Sequence, residues 1–203
     1  DAVTAGNGKT ARLQRPLDFL VIADHAINMG VINAVEAENP SILKSERGKR
    51  WASWLKRVKT IEQTDPVQSH KIMDELSRDG WLKGEVGDDQ FRQSVWKDVT
   101  ALADQYNAPG RFTALIGYEW TGPFNLHRVV VFKDDAAKAG QITPLSVYGN
   151  FDPENLWEFL EDYENKTGGE VLAIPHNSNR SSGVMFALQD AKGNPLSKNY
   201  ANT

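Results

Sequence analysis

Residues 111–132 read RFTALIGYEWTGPFNLHRVVVF. Two apolar runs, Arg111 to Tyr118 and His127 to Phe132, flank the segment Thr121-Gly122-Pro123-Phe124-Asn125-Leu126. Each run has the β-branched and aromatic content of a strand, and the segment between them has the composition of a turn. A chain that leaves the first strand near Tyr118, turns and returns at Arg128 sets Glu119 and His127 face to face across the loop mouth. The spacing alone predicts that pair.

Two more runs of the same kind lie outward from this stretch. Phe19-Leu20-Val21-Ile22-Ala23 leads into Asp24-His25, and Val171-Leu172-Ala173-Ile174-Pro175 leads into His176-Asn177. The first predicts a strand over about residues 17–23 with almost no polar side chain after Asp18, the pattern of a strand buried on both faces of a parallel sheet. In a parallel arrangement His25, Glu119 and His176 all project at the carboxyl edge, where α/β proteins place their chemistry.

Helical patterns fill the intervals. Amphipathic spacing predicts helices over 45–63 and 66–78, and a further helix, capped by Asp88 or Asp89, over residues up to about Tyr106. Phe91, Val95, Val99, Leu102 and Ala103 share one face of that last helix. Asp152-Pro153-Glu154 is a helix start, with Asp as the cap, Pro in the first turn and Glu favoured by the dipole; Gly168-Gly169 ends the helix near Lys166. Residues 1–15 read as a loop or arm, 133–151 as loop, and about 187–203 as an irregular tail without a core pattern. The order strand, helices, strand, strand, helix, strand predicts an α/β fold and one domain over 1–203, a length that suits a barrel or part of one.

Composition narrows the function. The 23 basic residues are scattered among 27 acidic ones for a net charge of −4, so no basic stripe advertises nucleic acid. The densest basic stretch, Lys44 to Lys59, carries Trp51, Trp54, Leu55 and Val58 at helical spacing and reads as a solvated helix face. With no cysteine there are no disulfides, thiolate zinc sites or cysteine nucleophiles. No apolar stretch reaches the ~18 residues needed to span a bilayer. A soluble chain, cytoplasmic or periplasmic, is expected, and a start at Asp1 fits a processed protein or a piece of a longer one. Gly6-Asn7-Gly8-Lys9-Thr10 ends like a phosphate loop, but no strand precedes it and Val3 stands where that motif needs Gly.

Three imidazoles and one carboxylate, His25, Glu119, His127 and His176, are the donor set of Zn, Mn or Fe sites. A carboxylate can bridge two metals, and two metals roughly 3.5–4 Å apart can clamp a phosphoester. Asp24 could orient an imidazole or move a proton. A single strand-end histidine is more often a hydrogen-bonded structural residue than a ligand, whereas three at equivalent positions favour ligation. His70, inside a helical pattern, is expected at the surface. Two other readings compete: a glycosidase that uses Glu119 beside the Trp120 ring, and a domain that binds metal or ligand without catalysis.

The stretches Arg15 to His25, Ile116-Gly-Tyr-Glu-Trp120, Asn125-Leu-His-Arg128 and Ile174-Pro-His-Asn-Ser-Asn179 together resemble the polymerase and histidinol phosphatase (PHP) superfamily. The closer match is an uncharacterised bacterial branch known as a domain of unknown function. That resemblance implies a distorted β/α barrel, partial here, with mostly parallel strands, helices outside, and two or three divalent metals (Zn, Mn or Fe) at the strand ends. It implies His25, Glu119, His127 and His176 as metal ligands, with Glu119 bridging. Asp24 and Glu119 are the candidate catalytic residues, and the resemblance implies Arg128 and Asn177 on substrate and hydrolysis of a small, phosphorylated molecule. The superfamily's opening His-x-His and closing Asp-x-His are absent. The resemblance therefore implies the interior of a larger protein, truncated at both ends, weak in metal binding and prone to self-association through unpaired strand edges.

Overall fold

A computed structural model describes residues 2–5, 8–149, 151–189 and 193–195. Among these, β1 (Ala2–Thr4) and β2 (Thr10–Arg12) form a separate antiparallel pair with every residue exposed. The predicted amino-terminal arm thus contains two strands, although residues 1, 6 and 7 lie outside the described set.

The main sheet comprises β3 (Phe19–Val21), β4 (Thr113–Trp120), β5 (Arg128–Phe132) and β6 (Val171–Pro175), in the order β3-β4-β5-β6. Only β3 and β4 pair in parallel; β4 with β5 and β5 with β6 are antiparallel. This corrects the expectation of a mostly parallel partial barrel. Residues 121–127 are too few for the crossover of a dozen or more that parallel neighbours require, so β4 and β5 must form a hairpin. The sheet then ends at β3 on one side and β6 on the other, and among the described residues no strand closes it into a barrel.

Helices occupy the predicted intervals. In chain order they are α1 (Val31–Glu36), α2 (Pro40–Leu43), α3 (Glu46–Ile61), α4 (Pro66–Lys83), α5 (Asp89–Tyr106), α6 (Ala136–Ala139) and α7 (Pro153–Thr167). Side-chain oxygens cap them where the sequence offers them: Ser45 accepts from Gly48 N, Asp65 from Gln68 N, Asp88 from Phe91 N and Asp152 from Glu154 N. The one-turn helix α6 lies inside the stretch read as loop, started by Asp135 accepting from Ala137 N. Residue 150 is outside the described set, as are 190–192 and 196–203, on which most of the predicted irregular tail falls.

One face of the sheet is covered. Ile116, Tyr118 and Trp120 of β4 with Val130 and Phe132 of β5 pack against Trp96 of α5 and Leu156, Leu160 and Tyr163 of α7. A second core joins α1, α3, α4 and α5 through Val31, Val35, Trp51, Leu55, Leu76 and Phe91. Among the described residues no helix lies on the opposite sheet face. That face bears Phe19, Leu172 and Ile174, which are 66%, 61% and 44% exposed. The prediction that the first apolar run is buried on both faces therefore fails, because such burial needs a layer on each side and the helices supply one.

Asp79 of α4 anchors the helical layer. Its carboxylate is buried and accepts from Arg47 Nε at 2.6 Å, Lys83 Nζ at 2.7 Å, Trp51 Nε1 at 2.9 Å and Arg50 Nη2 at 3.0 Å. Arg47 also donates to the carbonyls of Lys83, Gly84 and Glu85. Glu85 in turn accepts from Asn28 N at 2.7 Å, which ties the loop after His25 to this layer.

Candidate metal centre

β3, β4 and β6 run in one direction and β5 in the other. The carboxyl ends of the first three and the amino end of β5 therefore meet at one sheet edge. His25 follows β3, Glu119 is the penultimate residue of β4, His127 immediately precedes β5, and His176 follows β6. The predicted convergence survives the loss of the parallel sheet, because the reversed strand enters from the same edge.

Backbone pairing sets the register at that edge. His25 and Glu119 form an isolated parallel bridge, in which Glu119 N donates to Asp24 O at 2.8 Å and Ala26 N to Glu119 O at 2.9 Å. His176 N donates to His127 O at 3.2 Å. Alternation along β4 then turns Trp120 into the core, fully buried, and Glu119 toward the uncovered face.

One carboxylate faces three imidazoles. Glu119 Oε1 lies 2.7 Å from His127 Nδ1 and 3.2 Å from His25 Nδ1, and Glu119 Oε2 lies 3.4 Å from His176 Nε2. One ligand atom from each of Glu119, His127 and His176 falls within 4.8 Å of the others. Although these atoms are within ion-pair distance, Glu119 Oε1 and His176 Nε2 are buried without a well-aligned hydrogen bond among the described residues. A buried carboxylate oxygen and a buried imidazole nitrogen left in that state suit a shared cation, which both can ligate.

The electrostatics agree with the geometry. Burial pushes the Glu119 carboxyl up, but the close contact and charge of His25, with lesser contributions from the His176 and His127 rings, outweigh it and hold the group below the ordinary carboxylate value. His25 is raised, mainly by its close contact with Glu119, against the opposing effect of burial. His127 is lowered, first by burial, which outweighs the attraction of Glu119. The two rings diverge because contact with Glu119 outweighs burial at His25, whereas burial outweighs it at His127. A neutral His127 keeps a lone pair for a metal.

The remaining predicted residues are distributed around this cluster. Asn177, in the left-handed conformation at φ 62°, brings its side-chain amide 3.3 Å from His127 Nδ1. One nitrogen cannot serve both neighbours in the same state: protonated it faces Glu119, and bare it accepts from Asn177. Asp24 is exposed and lines an apolar groove of about 410 Å³ between β3, β4 and α5. Only its backbone carbonyl touches the Glu119 amide. Arg128 points into the core, away from Glu119. It is 4% exposed, donates to the carbonyls of Leu126 and His127, contacts Met185 Sδ and lies over the Trp157 ring. His70 is 78% exposed and lies 3.7 Å from Asp74, as a surface residue should.

Two contributors escaped the sequence reading. Thr121 Oγ1 lies 2.6 Å from His25 Nδ1, and Asn125 Nδ2 donates to Arg180 O at 3.0 Å, joining the loops that follow β4 and β6. The signal for Thr121 was its position two residues after Glu119, on the same side of an extended chain. Asn125 carried no such signal, because its role depends on a φ of 59° and on a partner 55 residues away.

The architecture is thus a mixed α/β protein with a histidine–carboxylate cluster that could hold a metal ion at one edge of a mostly antiparallel sheet. The chain belongs to the family described as Protein of unknown function (DUF3604), whose match runs over residues 1–203. No curated protein and no solved structure matches it. Among the described residues no helix is long and apolar enough to cross a membrane.

Proposed function

We propose that this protein is a metal-dependent hydrolase acting on a phosphoester, with Glu119, His127 and His176 holding a divalent cation. The observation that carries the reading is the pair of buried, poorly bonded atoms, Glu119 Oε1 and His176 Nε2, within one cluster of donors. Imidazole nitrogen with carboxylate oxygen suits Zn, Mn or Fe better than Ca or Mg, which prefer all-oxygen shells. The phosphoester comes from the likeness of the four motifs to PHP phosphoesterases. A bound cation would supply Lewis-acid polarisation of a phosphoryl oxygen.

The chain's own groups have separable tasks in this reading. Glu119 brings the negative charge that a divalent cation needs, and its depressed pKa keeps that charge at neutral pH. His127, whose pKa burial lowers, offers a lone pair, and the Asn177 amide lies beside its ring. Arg128 supports the carbonyls of Leu126 and His127 from behind, which makes it a brace for the ligand loop and not a substrate contact.

The test is turnover of a panel of phosphomonoesters and phosphodiesters by chelator-stripped and metal-reconstituted protein. Hydrolysis restored by metal and abolished in His127→Ala and His176→Ala supports the enzyme. Stoichiometric metal binding with no hydrolysis across the panel would leave a non-catalytic metal-binding domain. Chelator-insensitive cleavage of sugars would point to a glycosidase, although Trp120 lies buried behind the sheet and offers no stacking surface.

A further inference from the structure

A phosphoester brings negative charge to a cluster that already holds the Glu119 carboxylate, so its binding calls for a cationic side chain besides the metal. The loops that frame the cluster, residues 26–30, 121–126 and 177–183, contain one such side chain, Arg180. Arg128, the arginine next to His127 in sequence, is buried behind the sheet and engaged with carbonyls.

Arg180 combines a fixed backbone with a free head. Its amide donates to Asn177 O at 2.9 Å, and its carbonyl accepts from Asn125 Nδ2 at 3.0 Å. Ser181, next in the chain, is 2% exposed, and its hydroxyl donates to Ser178 O and accepts from Met185 N. Asn177 stands one turn of 3₁₀ helix before Arg180, about 6 Å along the axis, with its side-chain amide 3.3 Å from His127 Nδ1. Two left-handed asparagines, Asn125 and Asn177, thus hold the base of Arg180 between the loop that delivers His127 and the strand end that delivers His176. Arg180 is exposed, and among the described residues its guanidinium makes no ion pair or hydrogen bond.

The count of oxygens selects the ester. A guanidinium fork grips two phosphoryl oxygens side by side, and a single cation takes a third. A phosphomonoester offers three non-bridging oxygens and a phosphodiester only two, so the full set of contacts is open to the monoester alone.

We infer that Arg180 is the phosphate-binding residue of this site: its guanidinium grips two non-bridging oxygens beside the cation held by Glu119, His127 and His176, and the substrate is a phosphomonoester. The inference rests on the metal-dependent hydrolase reading above and narrows its substrate class.

The experiment is calorimetric titration of the Zn²⁺-loaded full chain with inorganic phosphate and with dimethyl phosphate, for wild type, Arg180→Gln and Arg180→Lys, beside a Zn²⁺ titration of each stripped chain. Wild type should bind phosphate more tightly than dimethyl phosphate. Arg180→Gln should weaken phosphate by about 10–100-fold, the range for a lost hydrogen bond to a charged group, and dimethyl phosphate by less, with Zn²⁺ affinity unchanged. Lysine keeps the charge without the fork and should recover only part of the loss. Phosphate binding that survives Arg180→Gln overturns the proposal. So does a parallel loss of Zn²⁺ affinity, which would make Arg180 a structural residue of the ligand loop. Equal wild-type affinity for the two anions, or an equal loss of both in Arg180→Gln, overturns the monoester assignment. A wild-type chain that binds Zn²⁺ but no phosphate overturns the proposal and leaves the metal centre standing, whereas one without saturable Zn²⁺ binding overturns the metal-centre reading itself.

Discussion

Glu119 Oε1 lies 2.7 Å from His127 Nδ1 across the open end of the β4–β5 hairpin. The hairpin creates this pair without help from the rest of the fold, and the ends of β3 and β6 then deliver His25 and His176 to the same carboxylate. Glu119 is thus the hub, because every imidazole of the cluster lies within 3.4 Å of its carboxylate.

Glu119→Gln keeps the size of the side chain and removes the charge. Metal affinity should drop by more than ~10-fold, the loss that even an outer-shell change brings. Calorimetric titration checks this, and unchanged affinity would remove Glu119 from the ligand set.

Arg128→Ala separates a structural arginine from a substrate contact. Leu126 O and His127 O lose their donor and the Trp157 ring loses the guanidinium, so urea unfolding should show a loss of about 1–3 kcal/mol. A substrate contact would instead leave stability unchanged and raise KM.

Gly122→Ala inserts a methyl group where a Cβ meets the Trp120 ring at 2.3 Å. Trp120 is fully buried and cannot retreat, so overpacking should destabilise the protein by about 1–3 kcal/mol. Because the same loop links Glu119 to His127, metal affinity should weaken as well. Denaturant melts and titration on one preparation read both effects.

Asp79 makes stability depend on acid. Burial pushes its carboxyl up, but the bonds from Lys83, Trp51 and Arg47 hold it well below the usual carboxylate range. A group depressed in the folded state contributes stability that is fully present above its unfolded pKa of ~3.9 and is lost as pH falls toward the folded value. Asp79→Ala should cost about 3–5 kcal/mol at neutral pH, since Arg47 and Lys83 are left without their carboxylate. The gap between variant and wild type should narrow below about pH 4 in urea melts.

The local structure was largely legible because caps and turns announce it. Asp88 and Asp152 each accept a backbone bond at the helix starts where the sequence offers them as caps. Sheet direction was not legible. An apolar run such as Phe19 to Ala23 carries no alternation to say which face is covered, and strand direction depends on long-range pairing. The short loop of 121–127 already required one antiparallel pair, and the site pattern drew attention to parallel strand ends instead. Glu119, His127 and His176 could be found nonetheless, because each stands at a strand end whatever the direction of its neighbour. Arg128 shows the limit of adjacency: it follows a candidate ligand in sequence, yet alternation turns it to the opposite face.

The central claim is that Glu119, His127 and His176 hold one divalent cation. The direct test is calorimetric titration of chelator-stripped protein with Zn²⁺ and Mn²⁺, for wild type, His127→Ala, His176→Ala and the surface control His70→Ala. Saturable binding in wild type and His70→Ala that collapses in the other two is the expected result. No saturable binding in wild type, or binding that survives the loss of both His127 and His176, would contradict the metal centre.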